Sequence, residues 1–292
     1  MTEPSTPRGR TALLARLEAF YDALPRGGAR AEELGPLRLF VREGEGWPFY
    51  ARPASAAGRV TREITADDVV RARTRQRELG VPEAFEWVHD LAPSLTSAAR
   101  RAGLPVRLCP LLVLRDDGPV PVDELVVDTD DEIQVVQPDD DDLAAVEAVA
   151  HVGFGAAIGT STGPQGAAER DATARGTAPE RVERLRQDLR DGSVVRVVAR
   201  GPEGPVCVGG TQHADVVEHG RDVGVAEIAG VATLPAFRRQ GLAAAVTSVL
   251  AAEALRRGRS TVFLSAQDDD VARVYQRVGF RRVGTAGLAE PD

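Results

Sequence analysis

The stretch VAEIAGVATLPAFRRQGLAAA, residues 225–245, joins two kinds of local structure. Residues 225–233 are small and apolar apart from Glu227, a pattern that favours a strand. Pro235 interrupts the pattern, and the alanine-rich run after Gly241 is typical of a helix. The start of a helix presents unbonded backbone N–H groups and the positive end of its dipole, so the stretch predicts an anion site.

Composition limits the classes of function. The chain has 292 residues, 36 basic and 44 acidic side chains and a net charge of −8, which argues against a sequence-independent nucleic-acid binder. The sequence contains no lysine, so every basic side chain is arginine and a single arginine carries little weight. We expect a cytoplasmic protein without nucleic-acid or membrane partners, because the start lacks a signal-peptide pattern and no apolar run approaches ~20 residues.

Metal-binding patterns are missing from the sequence. Cys109 and Cys207 form no CxxC pair, and the four histidines share no ligand spacing, so no metal is expected. The acidic run at 139–142 precedes a predicted helix, where negative side chains interact favourably with the helix dipole.

Segment 115–132, rich in Pro, Gly and Asp, predicts a domain boundary near residue 130. We expect one domain over 1–130 and a second over 131–292. Alternating helical and strand patterns predict a mixed α/β fold. The same order of helix, short strand, helix, glycine and strand occurs in 65–114 and in 240–287, which suggests a tandem repeat.

Two motifs carry a family resemblance. Arg238-x-x-Gly241-x-Ala243 follows a strand and opens a helix, and Tyr275-Gln-Arg-Val-Gly279-Phe280 lies on the helix after the next strand. Together with Glu227 on the preceding strand, they resemble the GCN5-related N-acetyltransferase (GNAT) superfamily over residues 131–287. The resemblance implies a splayed, mostly antiparallel sheet flanked by helices, and acyl-CoA, most simply acetyl-CoA, as co-substrate.

The resemblance also implies which residues hold the co-substrate. Backbone groups of one strand segment would pair with the pantetheine arm, and the loop before the helix would hold the pyrophosphate. The strand residues are Val231, Ala232 and Thr233, and the loop residues are Arg238, Arg239, Gln240, Gly241, Leu242, Ala243 and Ala244. Asp268 stands where the family often has asparagine, so it can accept a hydrogen bond from the pantetheine amide but cannot donate one.

Two side chains are candidates for the chemistry of N-acetyl transfer. Glu227 would accept a proton from the attacking amine, and the alternative is a solvated or salt-bridged strand glutamate. Tyr275 would donate to the departing CoA thiolate, and the alternative is a core-packing tyrosine.

The first domain lacks the loop chemistry. Ala99 takes the place of Tyr275 there, so 1–130 is interpreted as a degenerate GNAT-like repeat beside a catalytic domain over 131–292. The expected acceptor is a primary amine on a small molecule or a protein, with segments 155–177 and 212–222 predicted to be loops beside it. A non-catalytic acyl-CoA-binding module is the alternative function, and a homodimer is left open.

Overall fold

A computed structural model describes residues 7–44, 48–56, 59–60, 62–128, 131–155 and 165–291. The described helices are α1 Pro7–Ala23, α2 Ala66–Leu79, α3 Pro93–Arg101, α4 Leu143–Gly155, α5 Ala167–Arg175, α6 Pro179–Asp191, α7 Leu242–Arg256 and α8 Asp269–Val278. The described strands are β1 Ala29–Leu34, β2 Leu37–Arg42, β3 Arg52–Pro53, β4 Ser55–Ala56, β5 Arg59–Val60, β6 Phe85–Val88, β7 Val106–Leu114, β8 Glu132–Val135, β9 Val194–Gly201, β10 Gly204–Glu218, β11 Arg221–Thr233, β12 Thr261–Ser265 and β13 Phe280–Ala289.

An eight-stranded sheet organises the molecule, in the order β6-β13-β7-β12-β11-β10-β9-β8. Every neighbouring pair is antiparallel except β11 and β12, which run parallel. Strands β1, β2 and β3 form a smaller sheet. The predicted mixed α/β fold, a mostly antiparallel sheet flanked by helices, is confirmed.

Strands from the two halves of the chain alternate in the large sheet. Strand β7 of the first half pairs with β12 through Leu112 opposite Leu264, and β13 pairs with β6 through Ala286 opposite Val88. The last strand of the first half, β7, thus pairs with β12 of the second half. The last strand of the second half, β13, pairs with β6 of the first half. Without β7, the edge of β12 on that side would lack backbone hydrogen-bond partners and would be exposed to water or to other chains.

Local sequence signals explain the elements that the halves share. The order α2, β6, α3, β7 repeats as α7, β12, α8, β13, as the sequence pattern predicts. Thr65 caps α2 by accepting from the Asp68 N–H at 3.3 Å, while the Asp68 carboxylate accepts from the Thr65 N–H at 2.9 Å. Gly80 ends α2 in the left-handed conformation.

Alternate side chains of β12 point to opposite faces of the sheet. Val262 and Leu264 pack in the core that includes residues of α7 and α8, whereas Phe263 packs in the core that includes α1. Burial of one such side chain stabilises the fold by about 1.5–3 kcal/mol. Helix α1 therefore covers one face of the sheet, and α7 and α8 cover the other.

Segments 155–177 and 212–222 differ from their predictions as loops. Residues 212–218 belong to β10 and residues 221–222 to β11, so only the turn at 219–220 lies between strands. Helix α5 occupies Ala167–Arg175, and residues 156–164 lie outside the described residues. The buried Arg170 guanidinium donates to the Pro205 carbonyl oxygen at 2.7 Å and so fixes α5 against the hairpin of β9 and β10. The small polar residues of segment 155–177 predict a loop. The contact that anchors α5 joins residues that are distant in the sequence, so the local pattern does not reveal it.

Candidate active site

The parallel strands β11 and β12 are paired over three residues and then part. Val225, Ala226 and Glu227 lie opposite residues 261–263, and Glu227 is the last of them. Beyond it, the register between β10 and β11 shifts, and Gly230 adopts a φ of 66°, a value that glycine adopts without strain. A bulge of this kind bends a strand and increases its twist, which opens the sheet beside Glu227.

A cavity of about 1350 Å³ lies at this opening. It reaches both faces of the sheet, because its lining includes Glu227, on the face covered by α1, and Tyr275 of α8, on the opposite face. Residues 228–233 of β11 form one wall, and residues 265–267 after β12 form the other. The loop at 237–241 and the first turn of α7 close one end.

The end of the cavity at α7 has the properties of an anion site. Gly241 precedes the helix with a φ of 83°, and within the described part of the chain the backbone N–H groups of 239–243 donate no hydrogen bond. The Ala244 N–H already donates to the Gly241 carbonyl oxygen at 3.0 Å. The unbonded groups are therefore those of 239–243, where the positive end of the helix dipole adds to their attraction for an anion.

Gly241 also contacts the segment that joins the two halves. A Cβ at this position would lie 2.2 Å from the Val126 carbonyl oxygen, and the Asp128 N–H donates to the Gln240 carbonyl oxygen at 3.0 Å. The sequence explains Gly241 by the approach of a phosphate. The structure adds a second reason, because the backbone of 126–127 occupies the space of a side chain.

The two arginines before Gly241 differ in their contacts. The Arg238 guanidinium donates to the Gly153 carbonyl oxygen at 2.8 Å and to the Thr233 carbonyl oxygen at 3.3 Å, so it joins the end of α4 to the end of β11. Arg239 has a φ of 69°, an uncommon value for a residue with a Cβ, and lines the cavity. Val231, Ala232 and Thr233 line the cavity as well.

Glu227 is buried, with 8% of its surface exposed. Its Oε1 accepts a hydrogen bond from the Tyr21 hydroxyl at 2.8 Å, and within the described residues it forms no salt bridge. Burial, followed by repulsion from Glu86, raises the pKa of Glu227 from 4.5 to about 8, while the Tyr21 hydrogen bond and Arg52 act in the opposite direction. A carboxyl group with such a pKa exchanges protons near neutral pH.

Tyr275 lies on the other side of the opening, where its ring packs edge-on against Phe280 with 6.5 Å between centroids. Burial, with a smaller contribution from Cys207, raises the pKa of Tyr275 to about 12. Its hydroxyl is therefore protonated at neutral pH and can donate a hydrogen bond into the cavity.

Asp268 caps a helix in this structure. It precedes α8, and its Oδ1 accepts from the Val271 N–H at 2.9 Å. Removing such a cap costs about 1 kcal/mol. The adjacent Gln267 lines the cavity, whereas Asp268 is not among the lining residues.

The sequence leaves open whether the first half forms part of the substrate cleft or a structural support, and it does not identify the residues that this half contributes to the cavity. Arg107 and Cys109 of β7 line it, and so does Glu124 of the joining segment. Tyr21 of α1 reaches Glu227 across 206 positions of sequence. None of these residues belongs to a motif that the sequence reveals.

Comparisons with known proteins show which structures and which family model the chain is similar to. Similar solved structures include a GCN5-related N-acetyltransferase from Kribbella flavida, at 22% identity, 96% coverage of each chain and a TM-score of 0.61. A GNAT-family acetyltransferase structure from Novosphingobium aromaticivorans is similar at 19% identity, covering 96% of this chain and 99% of its own, with a TM-score of 0.51. The chain shares the fold of these two structures, and the similarity extends over its first half.

The family model agrees with the structural comparison. Residues 168–280 match the model of the Acetyltransferase (GNAT) family, so the second half of the chain contains a GNAT domain. No curated protein sequence matches the chain. Within the described ranges, no group of three His, Cys, Asp or Glu side chains could hold a metal ion, and no helix has the length and apolarity to cross a membrane.

Proposed function

We propose that the protein transfers an acetyl group from acetyl-CoA to a primary amine. The observation that carries this proposal is that Glu227, Tyr275 and the start of α7 line one cavity, where the start of α7 contributes Arg239, Gly241, Leu242 and Ala243. These groups supply a proton acceptor, a proton donor and an anion site, as direct transfer between a thioester and an amine requires.

The properties of the cavity suit acetyl-CoA. The unbonded N–H groups before α7 would bind the pyrophosphate, since a helix start favours negative charge. Within the described residues, no strand pairs with β11 on its β12 side at residues 231–233. Apart from the Thr233 carbonyl oxygen, which accepts from Arg238, the backbone groups on that side are therefore available to the amides of the pantetheine arm. The sulfur would then lie toward Tyr275.

Glu227 and Tyr275 would handle the protons. A primary amine with a pKa of about 10 is almost entirely protonated at neutral pH and must lose a proton before it attacks. The ionised Glu227 carboxylate accepts that proton, and the neutral amine nitrogen then forms a bond to the thioester carbonyl carbon. The carbon–sulfur bond breaks, and the departing sulfur receives a hydrogen bond and a proton from the Tyr275 hydroxyl. The second proton, which the nitrogen loses as the amide forms, restores that hydroxyl.

A panel of amines tests the proposal. Small-molecule amines, amino acids and peptide N-termini are incubated with acetyl-CoA and the protein, and released CoA thiol is measured. We expect release with one class of amine, and a loss of about 10²-fold or more in Glu227→Gln, the scale of general base catalysis. The matched control is Glu132→Gln, which removes an exposed strand carboxylate of β8.

Binding is measured separately from turnover. Calorimetry with acetyl-CoA should give similar affinities for the wild-type protein and for Glu227→Gln. Binding without thiol release for every amine would contradict the transfer reaction and support the non-catalytic module. Absence of binding would contradict both functions.

A further inference from the structure

A buried network connects the first half of the chain to Glu227. The Glu18 Oε1 accepts from the Arg52 guanidinium at 3.0 and 3.2 Å, and its Oε2 accepts from the Val88 N–H at 3.1 Å. Glu18 and Arg52 are 1% and 2% exposed. A buried ion pair is tolerated only when its members are well bonded, so these contacts fix Arg52 firmly.

Arg52 and two aromatic rings fix Tyr21. The Arg52 guanidinium lies 4.9 Å from the centroid of the Tyr21 ring, within the range of a cation–π contact. Phe263 of β12 packs edge-on against the same ring at 5.5 Å, and Phe20 does so at 5.7 Å. The ring therefore has little freedom, and its hydroxyl is directed at the Glu227 Oε1.

A second carboxylate shares this face of the sheet. Glu86 lies two residues before Val88 on β6, and Val88 packs in the core that includes α1. Alternate residues of a strand point to the same face, which places Glu86 on the face of Glu227. Repulsion between the two carboxylates opposes ionisation of Glu227, whereas Arg52 and the Tyr21 hydroxyl favour it.

We propose that Tyr21 is a positioning residue for Glu227, holding Oε1 by its hydroxyl so that the other carboxylate oxygen can receive the amine proton. Within the described residues, Oε2 accepts no hydrogen bond, and Glu227 lines the cavity. The first half of the chain would thus orient a group of the catalytic domain. This inference rests on the proposed function, in which Glu227 is the base.

Tyr21→Phe tests the inference, because it removes the hydroxyl and keeps the ring contacts. Loss of a hydrogen bond to a charged group should raise the pH at which Glu227 ionises by about one unit. The acidic limb of the kcat/KM profile should move up by the same amount, and kcat/KM at pH 7 should fall about tenfold. The KM for acetyl-CoA should be unchanged.

A direct titration keeps the test independent of turnover. The carboxyl carbons of ¹³C-labelled glutamates are followed by NMR against pH, and the Glu227 signal is assigned by its loss in Glu227→Gln. The Glu86 signal is assigned in the same way with Glu86→Gln, because both groups titrate in this region. The matched control is Tyr50→Phe, which removes another tyrosine hydroxyl from the first half.

The outcomes separate the two proposals. A shift of the Glu227 titration in Tyr21→Phe but not in Tyr50→Phe supports the inference, even if no amine is acetylated. An unchanged Glu227 titration in Tyr21→Phe overturns it, even if the wild-type protein is an active transferase. A purely structural role for Tyr21 would lower stability and leave the pH profile in place.

Discussion

Glu227→Gln should make the protein more stable at alkaline pH. The pKa of Glu227 is raised in the folded protein, so the unfolded chain releases this proton at a lower pH than the folded chain does. The free energy of unfolding of the wild-type protein therefore falls as pH rises from about 4.5 to about 8. A glutamine does not titrate and avoids this loss.

The structure sets the size of the effect. A rise of the pKa from 4.5 to about 8 corresponds to about 5 kcal/mol, at about 1.4 kcal/mol per pH unit. Penetration of water and local relaxation reduce the free-energy cost of a buried charge, so we take about 2 kcal/mol as the lower end of the expected cost. Part of this loss already occurs below pH 5, so relative to wild type Glu227→Gln should gain about 2–4 kcal/mol between pH 5 and pH 8.5.

Urea unfolding at pH 5 and pH 8.5 measures this gain. Glu132→Gln is the control, because its exposed carboxylate on β8 should leave the difference between the two pH values unchanged. If Glu227→Gln shows the same pH dependence as the wild-type protein, the burial and repulsion assigned to Glu227 are wrong. The same variant should lack transferase activity, so stability and activity change in opposite directions.

Three further predictions follow from the site and the sheet. Tyr275→Phe should lower kcat by about 10²-fold with acetyl-CoA affinity unchanged, and equal kcat values would remove Tyr275 from the mechanism. Residues 131–292 expressed alone should show no cooperative unfolding by circular dichroism, because the place of β7 between β12 and β13 is empty; a cooperative transition would contradict this. Gly241→Ala should lower the affinity for acetyl-CoA at least tenfold. It should also lower the free energy of unfolding by more than the ~1–2 kcal/mol that a left-handed φ costs, because its Cβ would meet the Val126 oxygen. Gly258→Ala is the matched control, with a φ of 79° and no atom within 4 Å of its Cβ, and equal losses in the two variants would refute the contact.

Much of the fold could be predicted from local patterns. Apolar spacing, the Thr65 cap and the glycines that end helices predict the order of the elements that the two halves share, because these signals act within a few residues. The same kind of local signal predicts Gly241 at a helix start and Tyr275 on the helix after the next strand. Their meeting in one cavity agrees with that reading.

The sequence by itself thus determined most of the strands and helices, including the helix start at Gly241. Only the tertiary structure decided that β7 pairs between β12 and β13, and that Tyr21 reaches Glu227. The physical reason is that strand pairing and buried hydrogen bonds join residues far apart in the chain, where no periodicity records the partner. The chemistry of Glu227 depends on such partners, since Tyr21, Arg52 and Glu86 all come from the first half of the chain.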